Sequence, residues 1–596
     1  MKRFSFLLAI VMLCSLAPAG TAQQPSSRYE NMTAEEIVAC LSLEQKAAQM
    51  VMPAVYNITE QDMMQSCYGS TLSKINDISR SSWVSTITGL QRSALQSEAG
   101  IPFVFGQDDV HGVNYCEKAV IFPHNIGIGA ANDPELTYQM GLATADEAKL
   151  CHMLWNFAPC VAQSADPRWG RTYESYGADL GIIKQLSLAY TKGLIDGGVI
   201  ACPKHFFADG NVQFGTGEDS DVSRLMDRGD AVLTDAQAEE LLSVYQELID
   251  AGAQTIMVSH SSVNGVKMHE NGDYIWRLKN EMGFEGFVVS DWNSVQNTSP
   301  SSYEEQVITA VNSGIDMLME VDTFGEAREI IIRAVKSGKI TEDRVNDAVR
   351  RIIQVKLDSG IFQDPLCESL VTSQSEVGSQ EYRDLAEALV EKSLVLLKNS
   401  GNTLPLQRGM SVYITGPAAH NPAAQCGGWT INWNESPSYI KGVNTILKGF
   451  LDKAEELGIT VITNRKNADK ADVVLLVVGE KAYAEWNGDT ADLQLCGALG
   501  LKGNEAAIEE ARMLNKPTVA CIVAGRQVII DEYWDDWDSV VMCYLPGSEG
   551  QGVVNVLCGQ SDFTGKLPSP WYSSVDQIGS GESWLPLGFG LSYQKK

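Results

Sequence analysis

The stretch GFEGFVVSDWNSVQ, residues 283–296, decides how the first half of this chain is read. Phe287, Val288 and Val289 are a short run of strand-forming residues, fenced by Gly286 before and by polar residues after. The run stops at once on an acid and an indole, Asp291 and Trp292. The same theme recurs in IPFVFGQDD, MLWNFAPC, GVIACPKHF, AQTIMVSHSS and GIDMLMEVD, each an apolar run that ends in polar side chains. Between them lie segments such as DAQAEELLSVYQELIDAG, apolar at helical spacing. Alternating strand and helix predicts a parallel sheet, whose commonest closed form is a (β/α)8 barrel. These runs supply six strands and leave the other two unassigned.

Side chains just past the C-terminal ends of barrel strands converge on one cavity. Asp108, Lys204 with His205, His260 and Asp291 hold such positions on four different runs. A single polar residue there reads equally well as a helix cap. Several converging ones, with indoles close by, point to a sugar site. Carboxylates, Lys and His hydrogen-bond hydroxyls, while indole faces pack on the apolar side of a pyranose.

Beyond the barrel pattern, QDPLCESLVTSQSEVGSQ is polar and turn-rich and reads as a linker. SVYITGPAA, ITVITN, ADVVLLVVGE, PTVACIVAGR and SVVMCYLPG then predict an open α/β sandwich, with ligand-facing groups past the strand ends. VVLLVVGEKAYAEWNGD repeats the opening pattern and leaves Glu480, Glu485 and Trp486 in its loop. The expected division is a leader at 1–22, a barrel at 23–365, a linker at 366–382 and a sandwich domain at 383–596.

A length of 596 residues exceeds what one core supports. With 45 basic and 75 acidic residues the formal charge is -30, which repels nucleic acid and anionic membranes and favours neutral ligands. The start, MKRFSFLLAIVMLCSLAPAGTAQQ, has a basic end, an apolar stretch too short to span a bilayer, and small residues near Ala22. It reads as a secretory signal, so an exported protein is expected. The 13 cysteines show neither metal-ligand spacing nor a small-domain disulfide framework, and a few bridges or isolated buried thiols both fit. GIGAAN at 127–132 lacks the third glycine and the later acid of a dinucleotide fingerprint. Neither metal nor cofactor is expected.

KHF at 204–206, SDW at 290–292, DPRWGRTYESYG at 166–177 and LPGSEGQG at 545–552 together resemble glycoside hydrolase family 3. The nearest resemblance is to its plant-type exo-β-glucan glucohydrolases. IFPHNIGIGAANDPEL, SSVNGVKMH, EKSLVLLKN, QCGGWTINW and FTGKLPSPW carry the similarity through both domains. The resemblance implies a barrel followed by a sandwich domain that contributes to the site. The implied activity is that of a retaining, exo-acting β-glucosidase or β-glucan glucohydrolase. Asp291 matches the nucleophile and Glu485 the acid/base, with Glu480 as its nearby rival. Asp108, Arg171, Lys204 and His205 match the groups that grip the terminal sugar. Glu218 matches an acid near the acid/base, and Trp292 and Trp433 match the indoles flanking the next sugar. His260 stands where a tyrosine is usual beside the nucleophile and brings a titratable ring. Asn293 and Asn297 replace an acid and an arginine of the second-sugar site. The rival readings are a β-xylosidase or arabinofuranosidase, an N-acetylhexosaminidase, which the loop after KHF disfavours by lacking histidine, and an inactive sugar-binding protein.

Overall fold

The computed structural model describes residues 28, 29, 31–218, 225–369 and 376–593; the expected leader and residues 370–375 of the expected linker lie outside them. The chain has a two-domain α/β architecture. In the first domain, Ser70–Leu72 pairs in parallel with Val104–Gln107, which pairs with Trp155–Asn156, which pairs with Ile200–Ala201. Parallel bridges Cys160–Lys204 and Phe206–Val258 carry the pairing onward, and Thr255–Met257 then pairs with Phe287–Val289. Val289 bridges Met317, Leu318 bridges Val51, and Ala54 bridges Leu72, so the pairing returns to its first strand.

The two strands that the apolar pattern leaves unassigned therefore lie at Val51–Ala54 and Ser70–Leu72. One contains Pro53 and follows the helix Leu43–Gln49 almost without a break; the other is three residues long and two of them are polar. Neither makes a strand signal by itself. The connecting helices Arg80–Gln96, Pro134–Leu150, Leu180–Asp196, Asp235–Asp250 and Tyr303–Asn312 start on caps that the sequence displays. Ser79, Asp133, Asp179, Thr234 and Ser302 each accept a backbone N–H of the first turn.

The second domain holds a six-stranded sheet in the order Val395–Asn399, Ser539–Met542, Thr518–Val523, Val473–Gly479, Ser411–Thr415 and Thr460–Ile462. All pairs are parallel except the first, where Val395–Asn399 runs antiparallel along the edge. Val473–Gly479 is buried along its whole length, as an inner strand covered on both faces must be. Among the described residues the cysteines are free, although Cys116 and Cys151 bring their sulfurs to 3.5 Å. No described helix is long and apolar enough to cross a membrane.

The strand that leads to Asp291 is pinned at its base. Asp316, fully buried, accepts the Val288 N–H at 2.8 Å and pairs with Lys279 at 2.8 Å and with Arg344. Burial alone would raise its pKa, but Lys279 and Arg344 outweigh burial and hold it below the usual carboxylate range. Its stabilisation is therefore complete at neutral pH and is lost as pH falls through that lowered value. Asp316→Asn, which leaves Lys279 without a carboxylate partner and Arg344 with Asp347 alone, is expected to cost about 3–5 kcal/mol in denaturant unfolding, and a loss under about 1 kcal/mol would refute the pinning.

Candidate active site

A cavity of about 710 Å³ opens at the strand ends, and eight of the ten predicted site residues line it: Asp108, Arg171, Lys204, His205, Asp291, Trp292, Trp433 and Glu485. The first six come from the first domain and the last two from the second domain. Trp429 joins the lining and donates its indole N–H to Glu174 Oε1 at 3.0 Å.

Asp291 lies two residues past the end of the strand Phe287–Val289, and its backbone N–H donates to His269 Nε2 at 2.9 Å. The Trp292 N–H donates to Oδ1 at 2.6 Å. His260 Nε2 stands 3.1 Å from Oδ2, but the two atoms are not aligned as a hydrogen bond. Burial would raise the Asp291 pKa, yet His260, His205 and Arg171 outweigh it and hold this carboxyl well below its ordinary value. His260 is itself lowered, first by burial and then by Arg228, so its ring is neutral near pH 7. Its Nδ1 meets the Ser294 hydroxyl in a short contact, which leaves Nε2 to face the nucleophile candidate.

Asp108, just past the strand Val104–Gln107, meets Lys204 Nζ at 2.7 Å. Burial would lower the Lys204 pKa, but Asp108 and Glu174 raise it and keep the ammonium charged. Arg171 is buried and forks onto Glu174 with two contacts of 2.9 Å. Its Nη2 also reaches His205 Nε2 at 3.1 Å. Since guanidinium only donates, Nε2 must accept, which assigns the ring proton to Nδ1, where Asp209 accepts it at 2.7 Å. His205 Nε2 is also 3.8 Å from Asp291 Oδ2, and Arg171 Nη1 is 3.7 Å from Glu485 Oε1. One arginine and one histidine thus connect the two candidate catalytic carboxylates.

Glu485 sits in the turn Glu485–Gly488, after the strand Val473–Gly479, with φ at 51° in the left-handed region. Arg228 Nη2 holds its Oε2 at 2.9 Å, and the same guanidinium lies 4.3 Å over the Trp486 ring. Trp486 in turn stands 5.1 Å from Trp433. Burial would raise the Glu485 pKa, but Arg171, Arg228 and His260 together lower it. Glu480, the rival acid, pairs with Arg526 at 3.2 Å, accepts the Tyr483 hydroxyl at 2.8 Å and does not line the cavity.

Glu218 does not line the cavity. Its side chain is 52% exposed and pairs with Lys267 at 2.5 Å. The acid that does approach Glu485 is Asp227, whose backbone carbonyl accepts the Glu218 N–H at 3.1 Å. Burial, with Glu485 and Asp489 nearby, pushes Asp227 up to about 8 against the pull of Arg171 and Arg228. The loop carries several acids without periodicity, so spacing cannot choose among them. Arg228, Asp227 and the cavity face of Trp486 are what sequence reasoning missed. Asn293 bonds the Val321 N–H at 3.0 Å, and neither it nor Asn297 lines the cavity.

Among the described residues, Cys160, His205 and Asp209 form one buried group of metal-type donors, within 4.8 Å of one another. The 2.7 Å contact of Asp209 with His205 accounts for that grouping as ring orientation.

Two buried acids from two domains, over a cavity walled by indoles, is an arrangement that cleaves glycosidic bonds. The chain belongs to glycosyl hydrolase family 3: the family's N terminal domain matches residues 42–355 and its C-terminal domain matches residues 394–593. It is a glycoside hydrolase. It is 30% identical to the lysosomal beta glucosidase of Dictyostelium discoideum, over 88% of this chain and 69% of that one. It is 27% identical to the periplasmic beta-glucosidase of Salmonella typhimurium, over 83% of this chain and 68% of that one. The exo-1,3/1,4-beta-glucanase from a Pseudoalteromonas species superposes with a TM-score of 0.86 at 31% identity, covering 94% of this chain and 74% of that one.

Arg228 favours the charged form of Glu485, so its removal must raise that pKa. Arg228→Met is expected to move the basic limb of kcat/KM for cellobiose to higher pH. A limb that stays put or moves down would show that Arg228 does not act on Glu485.

Proposed function

We propose that the chain is a retaining, exo-acting β-glucosidase or β-glucan glucohydrolase that releases glucose from the nonreducing ends of β-glucans and gluco-oligosaccharides. The observation that carries this reading is the convergence of Asp291 and Glu485 on one cavity, linked through His205 and Arg171. Asp108, Lys204, His205 and Arg171 supply the polar groups for one terminal glucose, and Trp292 and Trp433 supply aromatic faces for the second sugar. The relatives named as β-glucosidases and an exo-β-glucanase favour glucose over xylose.

In the first step Asp291, held ionised, attacks the anomeric carbon, while Glu485 gives a proton to the departing oxygen. A glycosyl-enzyme forms. In the second step Glu485 takes a proton from water, which displaces Asp291 and restores the β configuration. The free protein holds Glu485 as the carboxylate braced by Arg228, the form that the second step needs. It therefore takes up a proton before the first.

The first domain, over residues 23–365, is read as a (β/α)8 barrel, a reading supported by the parallel pairings that return to their first strand. The linker is placed at 366–382 and the sandwich domain at 383–596. Export is proposed from the apolar leader, and the lysosomal and periplasmic names of two relatives support it.

A 2-deoxy-2-fluoroglucoside with a good leaving group is expected to label Asp291 covalently, with β-glucose as first product by NMR; a label on another carboxylate, or early α-glucose, refutes the mechanism. Glu485→Ala is expected to lose on the order of 10²-fold or more on cellobiose, in line with general acid catalysis, but far less in glycosylation by a dinitrophenyl glucoside. Azide, which needs no base, should rescue its turnover as β-glucosyl azide. The same behaviour in Glu480→Ala but not in Glu485→Ala would move the role to Glu480.

A further inference from the structure

The turn that carries Glu485 ends on Asp489, and this side chain turns away from the cavity, back into the first domain. Its Oδ1 accepts the Gly170 N–H at 2.8 Å. Its Oδ2 accepts two more backbone donors, the N–H groups of Met226 and Asp227, both at 2.8 Å. Those amides belong to two separate loops. Gly170 immediately precedes Arg171, and Asp227 immediately precedes Arg228. Arg171 and Arg228 are the two guanidiniums that touch Glu485, at 3.7 Å and 2.9 Å.

The fit around this carboxylate is close. A Cβ on Gly170 would fall 2.0 Å from the Glu485 carbonyl oxygen, so the two backbones are in direct contact. The Thr490 N–H adds a bond to the Arg168 carbonyl at 3.1 Å. A carboxylate accepting three main-chain N–H groups is a stiff joint, because none of the three donors has a rotamer to relax into.

We propose that Asp489 is a positioning residue for acid/base catalysis: by tying the two loops to the Glu485 turn, it sets both arginines against that carboxylate. The proposal rests on the reading of Glu485 as the acid/base. Asp489 touches neither sugar nor reacting atoms; it acts through Arg171, Arg228 and the turn. A misplacement on the order of 1 Å in such a constellation costs about 10²-fold in rate. The larger loss falls on the step that needs the proton, since the direct contacts of Asp291 do not pass through Asp489, which reaches that carboxylate only at one remove, through Arg171 and His205.

Asp489→Ala and the near-isosteric Asp489→Asn test this, with rates normalised to the fraction of chains that the fluoroglucoside labels, so that unfolded protein does not count. Cellobiose kcat/KM is expected to fall about 30- to 100-fold, while the dinitrophenyl glucoside changes by no more than about 3-fold. The basic limb of the cellobiose pH profile is expected to move upward as the arginines drift from Glu485. Equal losses on both substrates would reduce Asp489 to a structural role, and no loss on either would remove its role; each result overturns the proposal. Glu485→Ala run alongside separates the two ideas. Leaving-group dependence in Glu485→Ala but not in the Asp489 variants sinks this inference alone, and its absence in both sinks the acid/base reading with it.

Discussion

The buried guanidinium of Arg171 is the group on which the rest of this site depends. A cation out of water is costly unless carboxylates surround it in good geometry. Arg171 takes its bidentate partner, Glu174, from its own loop, but it also faces Glu485 from the other domain. Trp429, again from the second domain, donates to the same Glu174. Separating the domains would leave Arg171 and Glu174 short of partners at once. The domain interface and the candidate active site are therefore one electrostatic object.

That object explains why the two candidate catalytic acids differ in surroundings. Both are buried, and burial would raise both pKa values. Asp291 is held low by imidazoles and by the distant pull of Arg171, whereas Glu485 is held low by two arginines, one of them in direct contact. His260, where the family resemblance expects a tyrosine beside the candidate nucleophile, does not place a charge there near neutrality, because burial and Arg228 keep that ring neutral. The third acid, Asp227, must share both arginines with Glu485 and is driven toward its protonated form. Arg171 and Arg228 thus favour the charged form of Glu485, while burial raises Asp227 beside them.

The tryptophan-lined side of the cavity obeys a different logic. Asn293 and Asn297, where the family resemblance expects an acid and an arginine, do not line the cavity. Trp486 fills the wall instead, packed between Arg228 and Trp433. Aromatic walls read ring faces rather than hydroxyl patterns.

The sequence by itself determined the elements whose signals are local. Apolar runs ending on polar residues placed six strands and, at their ends, Asp108, Lys204, His205, His260 and Asp291. Each of these needs only its own strand to reach its place, so periodicity suffices to find it. The strands at Val51–Ala54 and Ser70–Leu72 were illegible because they are strands only by virtue of their neighbours' hydrogen bonds. The edge strand Val395–Asn399 was hidden in the same way, running straight on from the helix Gln380–Ser393. Only the tertiary structure decided between Glu218 and Asp227, and only it brought Arg228 to Glu485 and the Asp227 amide to Asp489. Each of those two pairs joins irregular loops more than 250 positions apart in sequence. Loop side chains are placed by the charges and amides they meet, and those partners come into range only when the two domains close on each other.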